Sequence, residues 1–427
     1  MNSTERHEVR YQRRKAKREA KRRAKIEKYD DFDRVTNVSA LVRAHWDARK
    51  GVMWKASVAR YDAHYLKNSI RLHRQLEEGR DICTGFYAFG IYERGKRRNI
   101  HSLHYAERVV RRSACINSLV PVLSSNLIYD NGASLKDKGV SFALDRCEAD
   151  LHRFFRATGG NDGYVILIDF KGFFDNIQHG PLLSIIDRFF LDPRLNRLYH
   201  QFVESADREK LVEQQGKGLF IGPEDSQIYA VAYPNSIDHT IKDQWRQRFY
   251  GRYMDDSRLY VRTLEEAHHI LDLLYVEYEK LGIIPNHKKT QIVKISRGFT
   301  FLKTKFFLTD TGRVIRKPDH DNIVRERRKL KKFRKFMSAG EMTLDEVCCS
   351  YMSWRGYILQ KDAYRTVCSM DALFYALFGV KPWKKQRKLS EKEKYEIWLM
   401  EQWYRQYRNR TPALTKSPQR SMLLNPC

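Results

Sequence analysis

The hydrophobic pattern changes period along the chain. Tyr164-Val165-Ile166-Leu167-Ile168 is an unbroken apolar run that stops at Asp169, which predicts a buried strand ending in a carboxylate. From Phe249 to Val261, β-prone residues flank Asp255-Asp256 and predict two short strands around that pair. Leu264, Ala267, Leu271, Leu274, Tyr278 and Leu281 recur at intervals of three and four, which is the stripe of an amphipathic helix. Thr263 with Glu266 makes a capping box at its start, and Gly282 is a natural stop. Residues 160–312 thus alternate short strands with helices. Residues 31–125 read as mainly helical, with a hairpin around Phe86 to Arg98 where aromatic residues meet a basic turn, and a helical pattern again over 105–124. Beyond 313 the pattern is helical and basic. Arg325 to Lys335 carries Val324, Leu330 and Phe333 on its apolar side, and Pro382 marks a break before a last helix near Ser390–Tyr407, whose Trp398, Trp403, Tyr404 and Tyr407 would pack. The expected organisation is a basic arm (1–30), a helical N-terminal region (31–160), a mixed central region (161–312) and a basic helical extension (313–427).

Composition adds a sign to this pattern. The 427 residues include 80 Lys and Arg against 52 Asp and Glu, a net charge of +28, which predicts a polyanionic partner. An aromatic share of 12% argues against wholesale disorder. No apolar run approaches the roughly 18–20 residues of a membrane span. The N-terminus is charged from Glu5 onward, so no secretory leader is expected. The seven cysteines are scattered, without a C-x-x-C pair, which predicts reduced thiols, mostly small buried hydrophobes, in a cytoplasmic protein. Between Arg10 and Lys25 stand ten Lys or Arg and one acid, Glu19. That arm is either a solubilising tail or, as favoured, a phosphate-contacting segment.

The candidate chemistry sits in the carboxylates. Adjacent side chains alternate faces in extended chain, so Asp255 is expected to point at a shared metal and Asp256 away. Asp169, at the carboxyl end of its strand, is the natural partner of Asp255. Carboxylates on neighbouring strands can hold two Mg²⁺ for in-line phosphoryl transfer. Asp255-Asp256 alone would equally fit a solvated turn.

The surrounding segments narrow the choice. Asp169-Phe170-Lys171-Gly172-Phe173-Phe174, Ile221-Gly222-Pro223-Glu224-Asp225-Ser226-Gln227 and Tyr253-Met254-Asp255-Asp256 resemble, in order, the A, B and C motifs of reverse transcriptases. Leu281 to Thr290 resembles motif D, and Gly298 to Lys303 resembles motif E, the primer grip. Gly95 to Arg98 and the segment from Asn131 to Leu144 resemble the finger motifs of bacterial retroelement enzymes. The resemblance implies an α+β right-hand polymerase with fingers, a palm built on an antiparallel sheet, and a helical thumb. It implies that Asp169, Asp255 and Asp256 hold two Mg²⁺ (Mn²⁺ being the alternative ion), with the Phe170 carbonyl as a further ligand. Phe174 takes the position of a steric gate against a 2′-hydroxyl. Lys289 takes that of the motif D lysine that protonates pyrophosphate. Arg97, Arg98, Gly222, Ser226 and Gln227 would contact the nucleotide. Tyr253, Met254, Phe301, Leu302, Arg325, Arg328 and Lys332 would contact primer and template. Gly222 would let backbone approach template or nucleotide, and Ser226 would cap the following helix. Glu224 and Asp225 would stand near the nucleotide, and Pro234 should break the helix after motif B.

The Ile-Gly…Ser-Gln form of motif B resembles diversity-generating retroelement enzymes and bacterial defence or orphan groups. The implied function is RNA-directed DNA synthesis on a dedicated structured RNA, in antiphage defence or in a diversity-generating element. The implied partners are the RNA template, the cDNA product and deoxynucleotides, with a second copy or an accessory protein as further candidates and no membrane. Two other readings stay open: a non-catalytic RNA-binding maturase or scaffold, and a template-independent or protein-primed polymerase. Ser353-Trp354-Arg355-Gly356-Tyr357 resembles a packing motif of similar bacterial enzymes.

Overall fold

A computed structural model of the chain describes residues 3–93, 95–210 and 212–382. Its strands are β1 (Phe86–Glu93), β2 (Lys96–Leu103), β3 (Tyr164–Ile168), β4 (Tyr250–Tyr253), β5 (Asp256–Val261), β6 (Gln291–Lys294), β7 (Phe299–Phe301), β8 (Thr304–Leu308) and β9 (Val314–Pro318). They form an antiparallel hairpin β1-β2, a four-stranded sheet in the order β4-β5-β3-β6, and a three-stranded sheet β7-β8-β9. Every pairing within the four-stranded sheet is antiparallel.

β3 is apolar throughout because both of its faces are covered. Ile166 and Ile168 enter a core with Ile270, Leu274 and Tyr278 of the helix Leu264–Lys280. Val165 enters a second core with Leu144, Cys147, Leu151 and Phe154 of the helix Val140–Thr158. Each such side chain, fully buried, stabilises the fold by about 1.5–3 kcal/mol. The helix Leu264–Lys280 starts as its sequence predicts, with the Thr263 hydroxyl accepting the Glu266 N–H at 3.1 Å. The Glu266 carboxylate, however, takes the Arg262 N–H at 3.0 Å and not that of Thr263. Lys280 ends the helix two residues before Gly282, whose φ is +64°.

N-terminal to the sheet, helices dominate, and the hairpin expected near Phe86 to Arg98 extends to Leu103. The segment 105–124 is helical with a wide turn over Cys115–Leu119. The helix after motif B, Glu224–Ala232, stops ahead of Pro234, as the missing N–H requires, and resumes at Asn235. The arm is one helix, Ser3–Tyr29. Among the described residues no helix is long and apolar enough to cross a membrane. Cys83, Cys115 and Cys147 are buried, whereas Cys349 and Cys368 are exposed.

The chain divides into Met1–Asp319 and His320–Cys427. Pairing of β9 with β8 keeps residues 314–318 with the first unit. In the second unit the helices His320–Ser338, Leu344–Leu359 and Tyr364–Phe378 pack around Leu330, Tyr351, Trp354, Met370 and Phe374. Trp354 donates its indole N–H to Asn322 at 2.7 Å, and Arg355 grips the Asp371 carboxylate at 3.0 and 3.1 Å, so the motif from Ser353 to Tyr357 packs helices together. Arg325, Arg328 and Lys332 are exposed on the helix that buries Leu330. The last expected helix, Ser390–Tyr407, with its four aromatic residues, lies outside the described residues.

Candidate active site

The site is built where β3 ends beside the β4-β5 hairpin. Ile168 pairs with Ser257 and Tyr253 pairs with Asp256. One step beyond the Ile168–Ser257 pair, Asp169 and Asp256 meet across the two strands. Both line a cavity of about 510 Å³, together with Lys289, Phe301 and Leu302. The charge of Asp169 also acts on Asp255, so all three carboxylates gather at this end of β3. Alternation holds for extended chain, but Asp255 lies in the two-residue turn Met254-Asp255, while Asp256 opens β5 and takes the facing position.

Electrostatics ties the three carboxylates together. Burial, then the charge of Asp255, then that of Asp169, push the Asp256 carboxyl up to about 7. Asp255 is raised as well, by burial first and also by Asp169, against the attraction of Lys289 and Arg98. Carboxylates that repel one another in a partly dry setting are the donor chemistry that a divalent cation satisfies. Among the described residues no three His, Cys, Asp or Glu side chains already converge as a finished ligand cage. The fit therefore rests on hard oxygen donors and their mutual repulsion, which a bound cation would relieve.

The Asp169 carboxylate is held from the motif D segment. Lys289 Nζ approaches one oxygen at 2.6 Å and Asn286 Nδ2 donates to the other at 2.9 Å, while the Asn286 N–H reaches the Asp169 carbonyl at 2.8 Å. The lysine that pairs is Lys289 and not its neighbour Lys288. Contact with Asp169 raises the Lys289 ammonium above the usual lysine range. Sequence reasoning missed Asn286. Nothing in the Leu281–Thr290 segment signals its partner across the bridge. That bridge, Phe170 opposite Pro285, uses the Asp169 carbonyl and the Lys171 N–H, so it does not engage the Phe170 carbonyl. The Phe170 ring is buried, 5.0 Å from that of Tyr278.

Both turns at the site carry strain. Met254, with φ +57°, takes the first position of its two-residue turn, which in a II′ turn is a glycine site. Leu302 and Lys303, at +46° and +59°, join β7 to β8 where Asn-Gly is the usual choice. Such non-glycine residues cost about 1–3 kcal/mol each and persist only where their surroundings enforce them. The enforcing residue at the first turn is Arg252, which sequence reasoning also missed. Its buried guanidinium donates to Asp238 at 2.9 and 2.6 Å, to the Val231 carbonyl at 2.8 Å and to the Met254 carbonyl at 3.0 Å. Asp238 also accepts the Tyr250 hydroxyl at 2.6 Å. At the second turn, Phe301 is buried above the Arg258 guanidinium, and Leu302 is partly buried.

Several expected nucleotide contacts have other partners. Gly222, with φ +146°, approaches the His101 backbone of β2. A Cβ there would lie 2.1 Å from the His101 carbonyl oxygen, and the His101 N–H bonds the Ile221 carbonyl at 3.0 Å. Its close approach thus joins motif B to the β1-β2 hairpin. Ser226 is buried in the first turn of a helix that begins at Glu224 with Pro223 at the N-cap position, so it is not the cap. Asp225 is buried against Arg111 at 2.6 Å, and Glu224 pairs with Arg112. These acids fasten the helix Tyr105–Ala114. Arg98 acts electrostatically on Asp255, whereas the Arg97 side chain lies across Gly90. Neighbouring residues of β2 face opposite ways. Gln227 is exposed and accepts the Ser134 hydroxyl at 3.1 Å. Phe174 is half-buried beside Phe173, with ring centroids 5.9 Å apart. Tyr253 is partly buried as well. Gly222→Ala should cost about 1–3 kcal/mol, read as a lower urea midpoint, because neither backbone can yield easily.

Residues 97–306, from β2 to β8, match the family model described as reverse transcriptase (RNA-dependent DNA polymerase). The chain carries a reverse transcriptase domain. Its fold is the α+β right-hand polymerase type, with the four-stranded sheet as the palm, and domains of this family work with divalent metal ions. Among solved structures, apo telomerase from Candida tropicalis, truncated of its C-terminal domain, is 16% identical over 55% of this chain and 55% of its own, with a TM-score of 0.43. Telomerase from Candida albicans in complex with a TWJ fragment of telomeric RNA is 13% identical over 68% of this chain and 54% of its own, also at 0.43. The chain spans about half the length of these telomerases. No curated protein matches it in sequence.

Proposed function

We propose that the protein is an RNA-directed DNA polymerase that copies a cognate, non-coding RNA into cDNA. The observation that carries this reading is the meeting of Asp169 with Asp256, and with Asp255 beside them, at a cavity inside the matched domain. Asp169, Asp255, Asp256 and the Phe170 carbonyl would hold two Mg²⁺. Bound there, the ions would lower the pKa of a primer 3′-hydroxyl and neutralise charge on the departing pyrophosphate. Lys289, once released from Asp169, would give its proton to that leaving group. Arg98 would meet the triphosphate. Tyr253, Met254 and Leu302 would bear on the primer end, while Phe301 supports the grip from beneath. The exposed Arg325, Arg328 and Lys332 suit phosphate contacts that are blind to sequence.

Phe174 would exclude a 2′-hydroxyl. Phe174→Val should raise incorporation of ribonucleotides relative to deoxynucleotides by roughly 10–100-fold, read from kcat/KM for the two substrates on one primed RNA.

The biological setting we propose is antiphage defence, on the basic N-terminal arm and long C-terminal extension, beside a motif B shared by diversity-generating and defence-associated groups. Sequencing the RNA and cDNA that copurify with the protein from its host tests this. One discrete RNA with its complementary cDNA is expected. A mixture of cellular RNAs copied indifferently would contradict the cognate template, and a neighbouring template–variable repeat with adenine-specific differences would assign the protein to a diversity-generating element.

A further inference from the structure

The arm helix Ser3–Tyr29 is fixed at one end only. Ile26 and Tyr29 pack against the main core, Arg22 bonds Asn126, and the Asp30 carboxylate accepts the Leu191 N–H at 2.7 Å. From Glu5 to Lys21 every described side chain is exposed. A helix that buries no face gains nothing from packing, so this sequence is helical for another reason.

The charges on it are sorted. At about 100° per residue, Arg10, Arg13, Arg14, Lys17, Lys21 and Lys25 fall within an arc of about 120°. Glu5, Glu8, Glu19 and Glu27 fall within about 100° on the opposite side, where Arg23 is the one basic residue. The basic face runs about 22 Å from residue 10 to residue 25. Like charges four apart, such as Arg10 with Arg14 or Lys17 with Lys21, destabilise an isolated helix. A partner carrying a row of negative charge would reverse that penalty.

We infer that this face binds the backbone phosphates of the RNA that the enzyme copies, as a tether separate from the polymerising site. The inference rests on the proposed RNA-copying function. A membrane surface is the weaker match, because an interfacial helix needs an apolar face. Here only Val9 and Tyr11 are large and apolar over residues 5–21, and they stand on different sides. Clustered Lys and Arg held rigidly along one line release counterions from a nucleic-acid backbone whatever its sequence.

The test compares the full chain with the variant R10Q/R13Q/R14Q/K17Q/K21Q, since glutamine keeps helix propensity and removes charge. The probe is a blunt RNA hairpin with no extendable primer end, titrated over a range of salt. The variant should bind at least roughly tenfold more weakly at low salt, with a salt slope shallower by roughly 3, while kcat on a saturating primed template stays unchanged. A second variant, E5Q/E8Q/E19Q, should bind the hairpin at least as tightly as wild type. Equal slopes for wild type and the first variant would overturn the tether. So would an unchanged slope accompanied by lost binding to phosphatidylserine vesicles, which would assign the face to membranes. A wild-type protein that shows the steeper slope but extends no primer would overturn the polymerase reading and leave the arm as an RNA-binding face.

Discussion

Asp255→Ala with Asp256→Ala should lower cDNA synthesis by at least roughly a thousandfold while leaving RNA affinity within a few-fold of wild type. The separation follows from where charge sits. On the proposed function, RNA affinity would come from exposed lysines and arginines, which the substitutions do not touch. On that same function, synthesis would depend on the carboxylates that meet at the end of β3. With both removed, Asp169 keeps its contacts with Lys289 and Asn286 but loses the oxygens that would complete a cation site. The fold should not suffer, because burial and mutual repulsion already oppose ionisation of Asp255 and Asp256. Relieving that repulsion should leave the urea midpoint unchanged or slightly higher. Primer extension and filter binding on the same preparation read both effects. Unchanged biological activity in the double variant would favour a scaffold over an enzyme.

Arg252→Met should be nearly as damaging for a different reason. Arg252 and Asp238 form a buried ion pair, and removing one partner of such a pair costs about 3–5 kcal/mol because the other charge stays buried. That is a large part of the roughly 5–15 kcal/mol that holds a domain together. The same change frees the Met254 carbonyl, so the strained turn loses the bond that braces it. Misplacement of the turn by a fraction of an ångström should lower kcat about a hundredfold with a small change in KM for the nucleotide. Arg252→Lys keeps the charge but not the fork of donors, and should recover stability more fully than kcat. A variant in which kcat falls only in proportion to the folded fraction would make Arg252 purely structural and not a positioning residue.

Much of this fold was legible because its elements carry their own periodicity. The β3 run, the Leu264–Lys280 helix with its Thr263 cap, and the break at Pro234 follow from local patterns that tertiary packing reinforces. Asp169 and the Asp255-Asp256 pair stood out through the order of the motifs around them, since the pair alone fits a solvated turn equally well. What was hidden depends on register and on partners far apart in sequence. The facing position of Asp256 requires Met254 to adopt a positive φ, which propensity argues against. Gly222 looked like a place for a ligand, yet the atom against it is the His101 carbonyl oxygen. The pairing of Glu224 and Asp225 with Arg112 and Arg111 was hidden because these residues meet only once the helices pack. Arg252 hid among 80 basic residues, and its bond to the Met254 carbonyl appears only once the turn is folded.

The most direct measurement is primer extension by the purified full chain on a defined RNA template, with deoxynucleotides and Mg²⁺, and with the product sequenced. We expect cDNA complementary to the template, lost on chelation of the metal and lost in the variant lacking both Asp255 and Asp256. Intact RNA binding with no template-directed product, or product that persists when both carboxylates are gone, would contradict the assignment of polymerisation to this site.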